Sequence, residues 1–302
     1  MPSPVSLDVR AYAKINLDLK ILGLLPDGYH EVRTVLQSVE LHDTITFTKR
    51  PGPFAIACDQ PAVPTDARNL VWRAAALLWS LGSDRASALS GVQVTLRKRI
   101  PAEAGLGGGS SDAAATLLAL SRLWHLPLDL ASLARIGARL GADVPFFLAG
   151  GTALGSGRGD DVSPLAEPPV TPVVIVTPNF GVSTPAAYGW FDQDRRPAPG
   201  RRAARVLAGW PAWARDLRND LEPPVASRFP QIRRSVRDLA ALGAVHAAMS
   251  GSGSAVFGIF AHPFQAVAAQ TTLAGRGEMA ILTSTLPGEV VARDRQRVLA
   301  GG

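Results

Sequence analysis

A glycine-rich segment followed by two serines carries the most informative chemistry in this sequence. Residues 101–112 read PAEAGLGGGSSD and stand between an alternating stretch, 92–98, and the apolar run AAATLLAL. Unpaired N–H groups in the first turn of a helix attract anions, and glycines let the backbone approach them closely. The pattern predicts a strand, a phosphate-binding loop and a helix from about Ser110 to Trp124. Ser110 and Ser111 are expected to cap this helix and to donate hydroxyls to phosphate or to Mg²⁺.

Better-known nucleotide-binding motifs do not fit this segment. A Walker A loop ends in Gly-Lys-Ser/Thr, and no lysine occurs here. The dinucleotide fingerprint fails because Ser110 stands where its third glycine belongs, and the protein-kinase HRD and DFG signatures are absent. A flexible turn before a capped helix is the simpler alternative, but four glycines within 105–109 favour phosphate binding.

The elements around this loop predict an α+β fold, because strands and helices mix without a steady β-α-β rhythm. The predicted strands are 6–24, 34–49 (broken by a hairpin near Leu41–Asp43), 92–98, 152–154, 173–177, 245–249, 255–260 and 279–284. The predicted helices are 69–82, 110–124, 129–139, a short one after Asp143, 201–209 and 228–241. Asp27-Gly28 indicates a turn. The proline-rich stretch 163–172 suggests a boundary between domains 1–164 and 165–302.

Composition excludes several classes of protein. The chain has 302 residues, 47% of them hydrophobic, which is enough for a large core. A single cysteine, Cys58, and five scattered histidines give no disulfide and no zinc spacing, so we expect no protein-built metal site. No signal peptide and no membrane-spanning run are found, which predicts a cytoplasmic protein without a membrane partner.

The net charge of +6 comes almost entirely from arginine, since the chain has only four lysines. Such a balance suits anionic ligands such as nucleotides and phosphorylated metabolites. Its plain alternative is a coding bias toward arginine on solvated faces. Basic residues interleaved with aromatics in a known module are absent, so we expect no nucleic-acid partner.

Several segments, taken in order, resemble one kinase family. The loop PxxxGLGGGSSDAA is similar to that of the superfamily of galactokinase, homoserine kinase, mevalonate kinase and phosphomevalonate kinase (GHMP kinases). Within it, the chain resembles the diphosphocytidyl-methylerythritol kinases, and AKINL together with DGYH is the specific combination. The matching segments are AKINL (13–17), DGYH (27–30), GADVPFF (141–147), GVST (181–184), NDLE (219–222) and SGSGS (250–254).

The resemblance implies a two-domain GHMP-kinase-like fold with an active-site cleft between the domains. It implies transfer of the γ-phosphoryl group of ATP, with Mg²⁺, to the 2-hydroxyl of 4-diphosphocytidyl-2-C-methyl-D-erythritol. The partners would be these small molecules, and the oligomeric state stays open. Other GHMP kinases, acting on homoserine or mevalonate, are the nearest alternative, and a non-catalytic nucleic-acid-binding protein is a more distant one.

The resemblance also implies the site residues. Asp143 would be the general base, with Lys14 beside it favouring the developing alkoxide. The expected ATP-binding residues are Pro101, Ala102, Glu103, Ala104, Gly105, Leu106, Gly107, Gly108, Gly109, Ser110, Ser111, Asn69 and Lys98. The expected substrate-binding residues are Asn16, Tyr29, His30, Thr184, Tyr188, Gly251, Ser252 and Gly253, with Tyr29 and His30 recognising the cytosine. No protein metal ligand is assigned.

Each of these roles has a structural alternative. Asp143 and Asn69 could be helix caps, Lys14 a solvated strand residue, and residues 29–30 and 251–253 plain turns. Two features depart from the family. Glu103 brings an acid into the phosphate loop, so its carboxylate must point away from phosphate or be screened by Mg²⁺. The arginine-rich segment 190–218 matches nothing in the family pattern.

Overall fold

The structure is a computed structural model that describes residues 6–81, 89–194 and 209–300. The predicted helix 201–209 therefore lies outside the described residues except for residue 209. The predicted helix 69–82 lies within them except for residue 82. Within the described ranges, every helix is too short or too polar to cross a bilayer.

A mixed sheet is formed by the first half of the chain. Its strands are β1 (Ser6–Leu24), β2 (His30–Pro53), β3 (Ala55–Cys58), β4 (Ser90–Arg97), β5 (Thr152–Ser156) and β6 (Asp161–Pro164). β2 pairs along one edge with β1, and along the other with β4 and β5. All pairs are antiparallel except β3 with β4. β2 is therefore the strand around which this half of the molecule is assembled.

The predicted hairpin near Leu41–Asp43 is wrong, because β2 runs through these residues without turning. The register with β1 shifts there, since Tyr12 faces His42 while Ala13 faces Val39, which leaves two residues in a bulge. The fully buried Asp43 accepts hydrogen bonds from the N–H groups of Arg99 and Ile100, which ties the strand to the end of β4. The chain reverses instead at the Asp27-Gly28 turn, as predicted.

Helices cover this sheet and pack around one of their number. They are α1 (Leu70–Trp79), α2 (Gly108–Leu123), α3 (Leu130–Ala138), α4 (Val144–Ala149) and, from the far end of the chain, the helix Gly288–Ala300. α2 contacts all four of the others as well as β1 and β2. Its alanines and leucines are buried on nearly every side, so it lies at the centre of the first hydrophobic core.

A second sheet, which is antiparallel, begins after the segment 165–171 that connects β6 to it. It contains β7 (Pro172–Thr177), β8 (His246–Met249), β9 (Val256–Ile259) and β10 (Met279–Ser284), in the order β10-β7-β9-β8. The remaining helices are α5 (Thr184–Asp194), α6 (Glu222–Arg228), α7 (Pro230–Ala241), α8 (Pro263–Gly275) and α9 (the C-terminal helix Gly288–Ala300), with a 3₁₀ turn at Ala212–Asp216. Apart from α9 and the 3₁₀ turn, whose buried residues belong to other clusters, these elements bury a core of their own.

A third apolar cluster joins the two sheets. Alternate residues of β1, including Ala13, Ile15 and Leu17, pack with residues of the second sheet such as Ile175 and Phe257. Because residues of β1 alternate between faces, the polar neighbours Lys14 and Asn16 point to the opposite face of the strand. The α+β, two-part architecture predicted from the sequence is confirmed.

Candidate active site

A cleft of about 920 Å³ lies between the loop before α2 and the segments that follow β7 and β8. Most of the predicted site residues line it: Lys14, Asn16, Asn69, Lys98, Pro101, Ala102, Glu103, Ala104, Gly105, Gly107, Gly108, Gly109, Ser110, Asp143, Thr184, Tyr188, Gly251 and Ser252. Three do not. Leu106 is buried in the core between the sheets, Ser111 faces a second cavity behind α2, and Gly253 packs against Met249.

The N-terminal end of α2 opens into the cleft. Gly107 occupies the cap position with φ 75°, and no side chain caps the helix. The prediction that Ser110 and Ser111 cap this helix is therefore wrong, because the helix begins at Gly108 and both serines lie inside its first turns. The first N–H groups of a helix have no partner within it, so those of α2 remain for an anion in the cleft.

Two glycines of this loop are required by close packing. A Cβ on Gly105 would lie 2.1 Å from the carbonyl oxygen of Ser250, and one on Gly107 would lie 2.6 Å from the ring of Phe147. Both residues also have φ near 75°, which disfavours other side chains. The loop is thus pressed against the Ser250 loop and α4, and its shape is held by protein contacts.

Lys14 and Asp143 meet on one wall of the cleft. The Nζ of Lys14 lies 3.3 Å from Oδ2 of Asp143, and the lysine side chain is 4% exposed while that of Asp143 is 36% exposed. Asp143 stands at the N-cap position of α4 but makes no capping hydrogen bond. A buried ammonium needs a partner, so the pair leaves a reachable carboxylate beside a shielded cation.

The amide of Asn16 positions Lys14 from the other side. Its Oδ1 accepts from Lys14 Nζ at 2.6 Å, and its Nδ2 donates to Thr34 Oγ1 at 2.8 Å. Thr34 in turn donates to the carbonyl of Asp18. This chain of hydrogen bonds fixes the amide orientation and holds the ammonium within the cleft wall.

A second glycine loop, Ser250–Ser254, faces the first. The hydroxyl of Ser250 donates to the carbonyl of Gly105 at 3.0 Å. Asn219 donates from Nδ2 to the carbonyls of Met249 and Gly251, at 2.8 and 2.7 Å. The NDLE segment therefore supports this loop from behind, a role that its sequence did not reveal.

Aromatic and basic groups gather at the far end of the cleft. His30 stacks on Tyr188 with ring centroids 4.7 Å apart and contacts Asp192 through Nε2 at 2.8 Å. Burial, with a smaller contribution from Asp143, raises the pKa of Tyr188 to about 12, so its hydroxyl stays protonated. Neither Tyr29 nor His30 is among the residues that line the cleft. His30 reaches it through its contact with Tyr188.

Arg158 is a cleft residue that sequence reasoning missed. It lines the cleft, its guanidinium lies 4.3 Å from the centre of the Tyr29 ring, and it pairs with Asp27. It stands at the tip of the β5–β6 hairpin within GSGRGD, a run of turn residues in which only the arginine signals ligand binding.

The opposite end of the cleft contains Asn69 and Lys98. Asn69 caps α1 through Oδ1 and donates from Nδ2 to the Pro64 carbonyl, so the capping alternative is what the structure shows for its side chain. Lys98 lies between Asp43 and Asp112, with Nζ–O distances of 2.5 Å to each. Burial opposes its charge, yet Asp112 and Asp43 together raise the pKa of Lys98.

Asp112 carries an unsatisfied acceptor beneath the phosphate loop. Its Oδ2 binds Lys98, while its Oδ1 is buried without a hydrogen-bond partner. Burial raises the pKa of this carboxyl to about 7, although Lys98 acts in the opposite direction. Because Asp112 stands between Ser111 and the apolar run AAATLLAL, its sequence context gives no sign of this ion cluster.

Glu103 lies against the backbone of Gly181. A Cβ built on Gly181 would be 2.7 Å from its Oε2. The residue has a φ of 52°, a conformation uncommon outside glycine. Its carboxylate thus borders the GVST segment while the residue still lines the cleft.

Comparison with known proteins identifies the family. The model of the GHMP kinases N terminal domain matches residues 69–151, and the GHMP kinases C terminal model matches residues 204–278. A protein from a Synechococcus strain named 4-diphosphocytidyl-2-C-methyl-D-erythritol kinase is 44% identical over 277 residues, covering 87% of this chain and 88% of its own. One of the same name from Moorella thermoacetica is 44% identical over 84% of this chain and 90% of its own.

Solved structures agree. The crystal structure of 4-(cytidine 5'-diphospho)-2C-methyl-D-erythritol kinase superposes with a TM-score of 0.73 at 34% identity, covering 92% of this chain and 99% of that one. The homoserine kinase of Cytophaga hutchinsonii shares the fold, with a TM-score of 0.63 at 18% identity over 95% of this chain and 96% of its own. This chain belongs to the 4-diphosphocytidyl-2-C-methyl-D-erythritol kinase family of GHMP kinases.

Proposed function

We propose that this enzyme transfers the γ-phosphoryl group of ATP to the 2-hydroxyl of 4-diphosphocytidyl-2-C-methyl-D-erythritol. The observation that carries the proposal is the Lys14–Asp143 pair, 3.3 Å apart, on the same cleft as the open N-terminus of α2. Phosphoryl transfer requires mainly positioning and stabilisation of charge, and this cleft offers an anion-binding helix end opposite a carboxylate. Both substrates are small molecules, and we place the protein in the cytoplasm.

The reaction follows from the roles that these groups can take. N–H groups at the start of α2 hold the triphosphate, and the Ser110 hydroxyl lies in the same turn. Asp143, which is partly exposed, accepts the proton of the acceptor hydroxyl. Lys14 stabilises negative charge on the acceptor oxygen as that oxygen attacks phosphorus. Asn16 keeps Lys14 in place through the 2.6 Å contact.

A Mg²⁺ ion fits this cleft only as a companion of the nucleotide. Among residues 6–81, 89–194 and 209–300, no group of three or more His, Cys, Asp or Glu side chains could hold a metal ion. Ser110 and Asp143 both line the cleft and are oxygen donors of the kind that Mg²⁺ takes along with phosphates and water. When bound, the ion would neutralise charge on the transferred phosphoryl group.

The acceptor is held at the far end of the cleft. Tyr188 lines the cleft and His30 stacks on it, so these rings, with Tyr29 beyond them against Arg158, are where the cytosine would bind. Thr184 and Ser252 provide hydroxyls 3.0 Å apart. Arg158 is a cation suited to the diphosphate, because its partner Asp27 does not line the cleft, whereas a carboxylate beside each of Lys14 and Lys98 does. Asn69 and Lys98 would border the adenine.

We also propose the division into domains 1–164 and 165–302. In its support, β6 of the first sheet ends at Pro164 and β7 of the second sheet begins at Pro172. The C-terminal helix α9 contacts α2, α4 and β1, so the second domain would send its last helix back to the first.

Mass spectrometry of products tests the function. The protein is incubated with Mg²⁺, ATP and, separately, the cytidylylated alcohol, homoserine or mevalonate. We expect a mass gain of one phosphoryl group on the cytidylylated alcohol alone, with equal release of ADP. Phosphorylation of homoserine or mevalonate in its place would contradict the proposal.

A further inference from the structure

A second cavity lies behind α2, on the side away from the cleft. It has a volume of about 650 Å³ and is bounded by β1, β2, α2, α4 and α9. Here it is called the rear cavity. Its size falls within the range of roughly 300–1,000 Å³ that is usual for small-molecule sites. Its apolar floor is formed by Val9, Leu118, Phe147, Val291 and Val298.

The polar side of the rear cavity has an excess of positive charge. Three arginines, Arg10, Arg295 and Arg297, line it together with two aspartates, Asp8 and Asp294. Asp294 accepts from the Tyr12 hydroxyl at 2.5 Å and lies within 3.8 Å of both Arg10 and Arg297. Asp8 accepts from Thr46. Both carboxylates are therefore already engaged, and neither pairs with Arg295.

Arg295 is a half-buried cation without a carboxylate partner among the described residues. Its Nη1 donates to the carbonyls of Leu148 and Ala149, at 2.5 and 3.4 Å, where α4 ends. Burial lowers the pKa of this guanidinium, and no acid opposes the effect. A guanidinium has five N–H donors, so contacts through Nη1 alone leave most of them for a ligand.

We propose that the rear cavity binds an amphiphilic anion, whose charged head pairs with Arg295 and whose hydrocarbon part covers the apolar floor. An anion would supply the missing countercharge in a partly desolvated place, where such pairing is strongest. The apolar floor explains why the ligand must carry a hydrocarbon part as well as a charge. The inference does not depend on the proposed reaction, since none of these side chains lines the cleft.

Isothermal titration calorimetry tests the proposal with two probes, octyl phosphate and octanoate, and with octanol as the neutral control. Titrations are run both without nucleotide and with saturating ADP, which occupies the nucleotide end of the cleft and excludes the probe from it. We expect at least one anion to bind saturably in the micromolar to millimolar range and octanol not to bind. The tighter anion shows whether the head is a phosphate or a carboxylate.

Variants locate the binding. Arg295→Met should weaken it by about tenfold to a hundredfold, as expected for loss of a hydrogen bond to a charged group. Arg295→Lys should retain much of it, and Arg293→Met, an exposed arginine on the same helix, should not change it. Ala115→Leu fills the cavity from α2 without altering its charge and should abolish binding.

Two results would overturn the proposal. One is the absence of saturable binding of either anion to the wild-type protein. The other is wild-type affinity in a folded Arg295→Met or Ala115→Leu variant, since the probe would then bind elsewhere. Circular dichroism establishes that each variant is folded.

Discussion

The chemistry of the cleft depends on a buried lysine whose charge has two partners. Lys14 is 4% exposed and is held by Asp143 on one side and Asn16 on the other. Removing one partner from such a group leaves the other with an uncompensated charge, which costs more than the pair contributes. Asp143 is the partner that a substrate can reach, because more of its surface is exposed.

Replacing Asp143 by asparagine should reduce kcat by roughly 10²–10⁴-fold, the usual contribution of a general base. The free energy of unfolding should fall by about 1–3 kcal/mol, because the buried Lys14 loses its charged partner while Asn16 still accepts a hydrogen bond from it. Steady-state kinetics and urea unfolding measure the two effects. Asp129→Asn, the same change at the cap of α3, is the control and should leave kcat unaltered. Turnover near the wild-type rate in Asp143→Asn would remove this residue from the mechanism.

Replacing Arg158 by glutamine should raise KM for the cytidylylated alcohol by about tenfold, as for one lost hydrogen bond to a charged group. KM for ATP should stay the same, because Arg158 lies at the acceptor end of the cleft beside Tyr29. Arg68→Gln, which breaks a surface pair with Asp66, is the matched control. The assignment is wrong if both KM values rise together or if neither changes.

At the scale of elements, the position of the glycine loop before α2 is predicted correctly, but its details are not. Glycines followed by Ser-Ser indicated a helix start, and α2 does open into the cleft. Which glycine caps the helix depends on contacts with Phe147 and Ser250, which come from distant parts of the chain. The predicted strand break near Asp43 is wrong for the same reason, because Asp43 is held within β2 by hydrogen bonds from residues just beyond the end of β4.

Gly109 offers a cleaner test of the loop than its neighbours. A Cβ on Gly107 would strike Phe147, whereas one on Gly109 meets only Leu70, at 3.6 Å, on the cleft wall. Gly109→Ala should raise KM for ATP several-fold, while the helix gains up to about 1 kcal/mol of stability. Gly275→Ala, at the end of α8 with open space around its Cβ, is the control. Unchanged ATP kinetics in Gly109→Ala would place the triphosphate elsewhere.

The Asp43–Lys98–Asp112 cluster makes stability depend on pH. Burial raises the pKa of Asp112 to about 7 from 3.8, so between these values the folded state binds a proton that the unfolded chain has lost. Stability contributed by this group is therefore greatest at low pH and falls as pH rises toward 7. Urea unfolding at pH 5 and pH 8 should show a larger loss for the wild type than for Asp112→Asn. Equal losses in the two proteins would mean that Asp112 is ionised throughout.

At the scale of the whole molecule, β1 links every part of the site. Its residues contribute to the core between the sheets, to the cleft through Lys14 and to the rear cavity through Val9 and Tyr12. The family motifs placed the cleft residues from the sequence. They gave no indication of the rear cavity. Its walls bring β1, from the start of the chain, together with α9, from its end, and α9 contains no family motif.

The two cavities share a wall, so their ligands should influence each other. Phe147 lines the rear cavity, and its ring already fills the space next to Gly107 in the phosphate-binding loop. An occupant pressing on Phe147 would displace that loop, and coupling of this kind typically changes affinity by about 5- to 150-fold. Saturating octyl phosphate should therefore raise KM for ATP at least about fivefold, by the lower end of that range. Direct competition of octyl phosphate at the phosphate loop would also raise KM for ATP. That effect would persist in Arg295→Met, whereas coupling through the rear cavity would be lost in this variant.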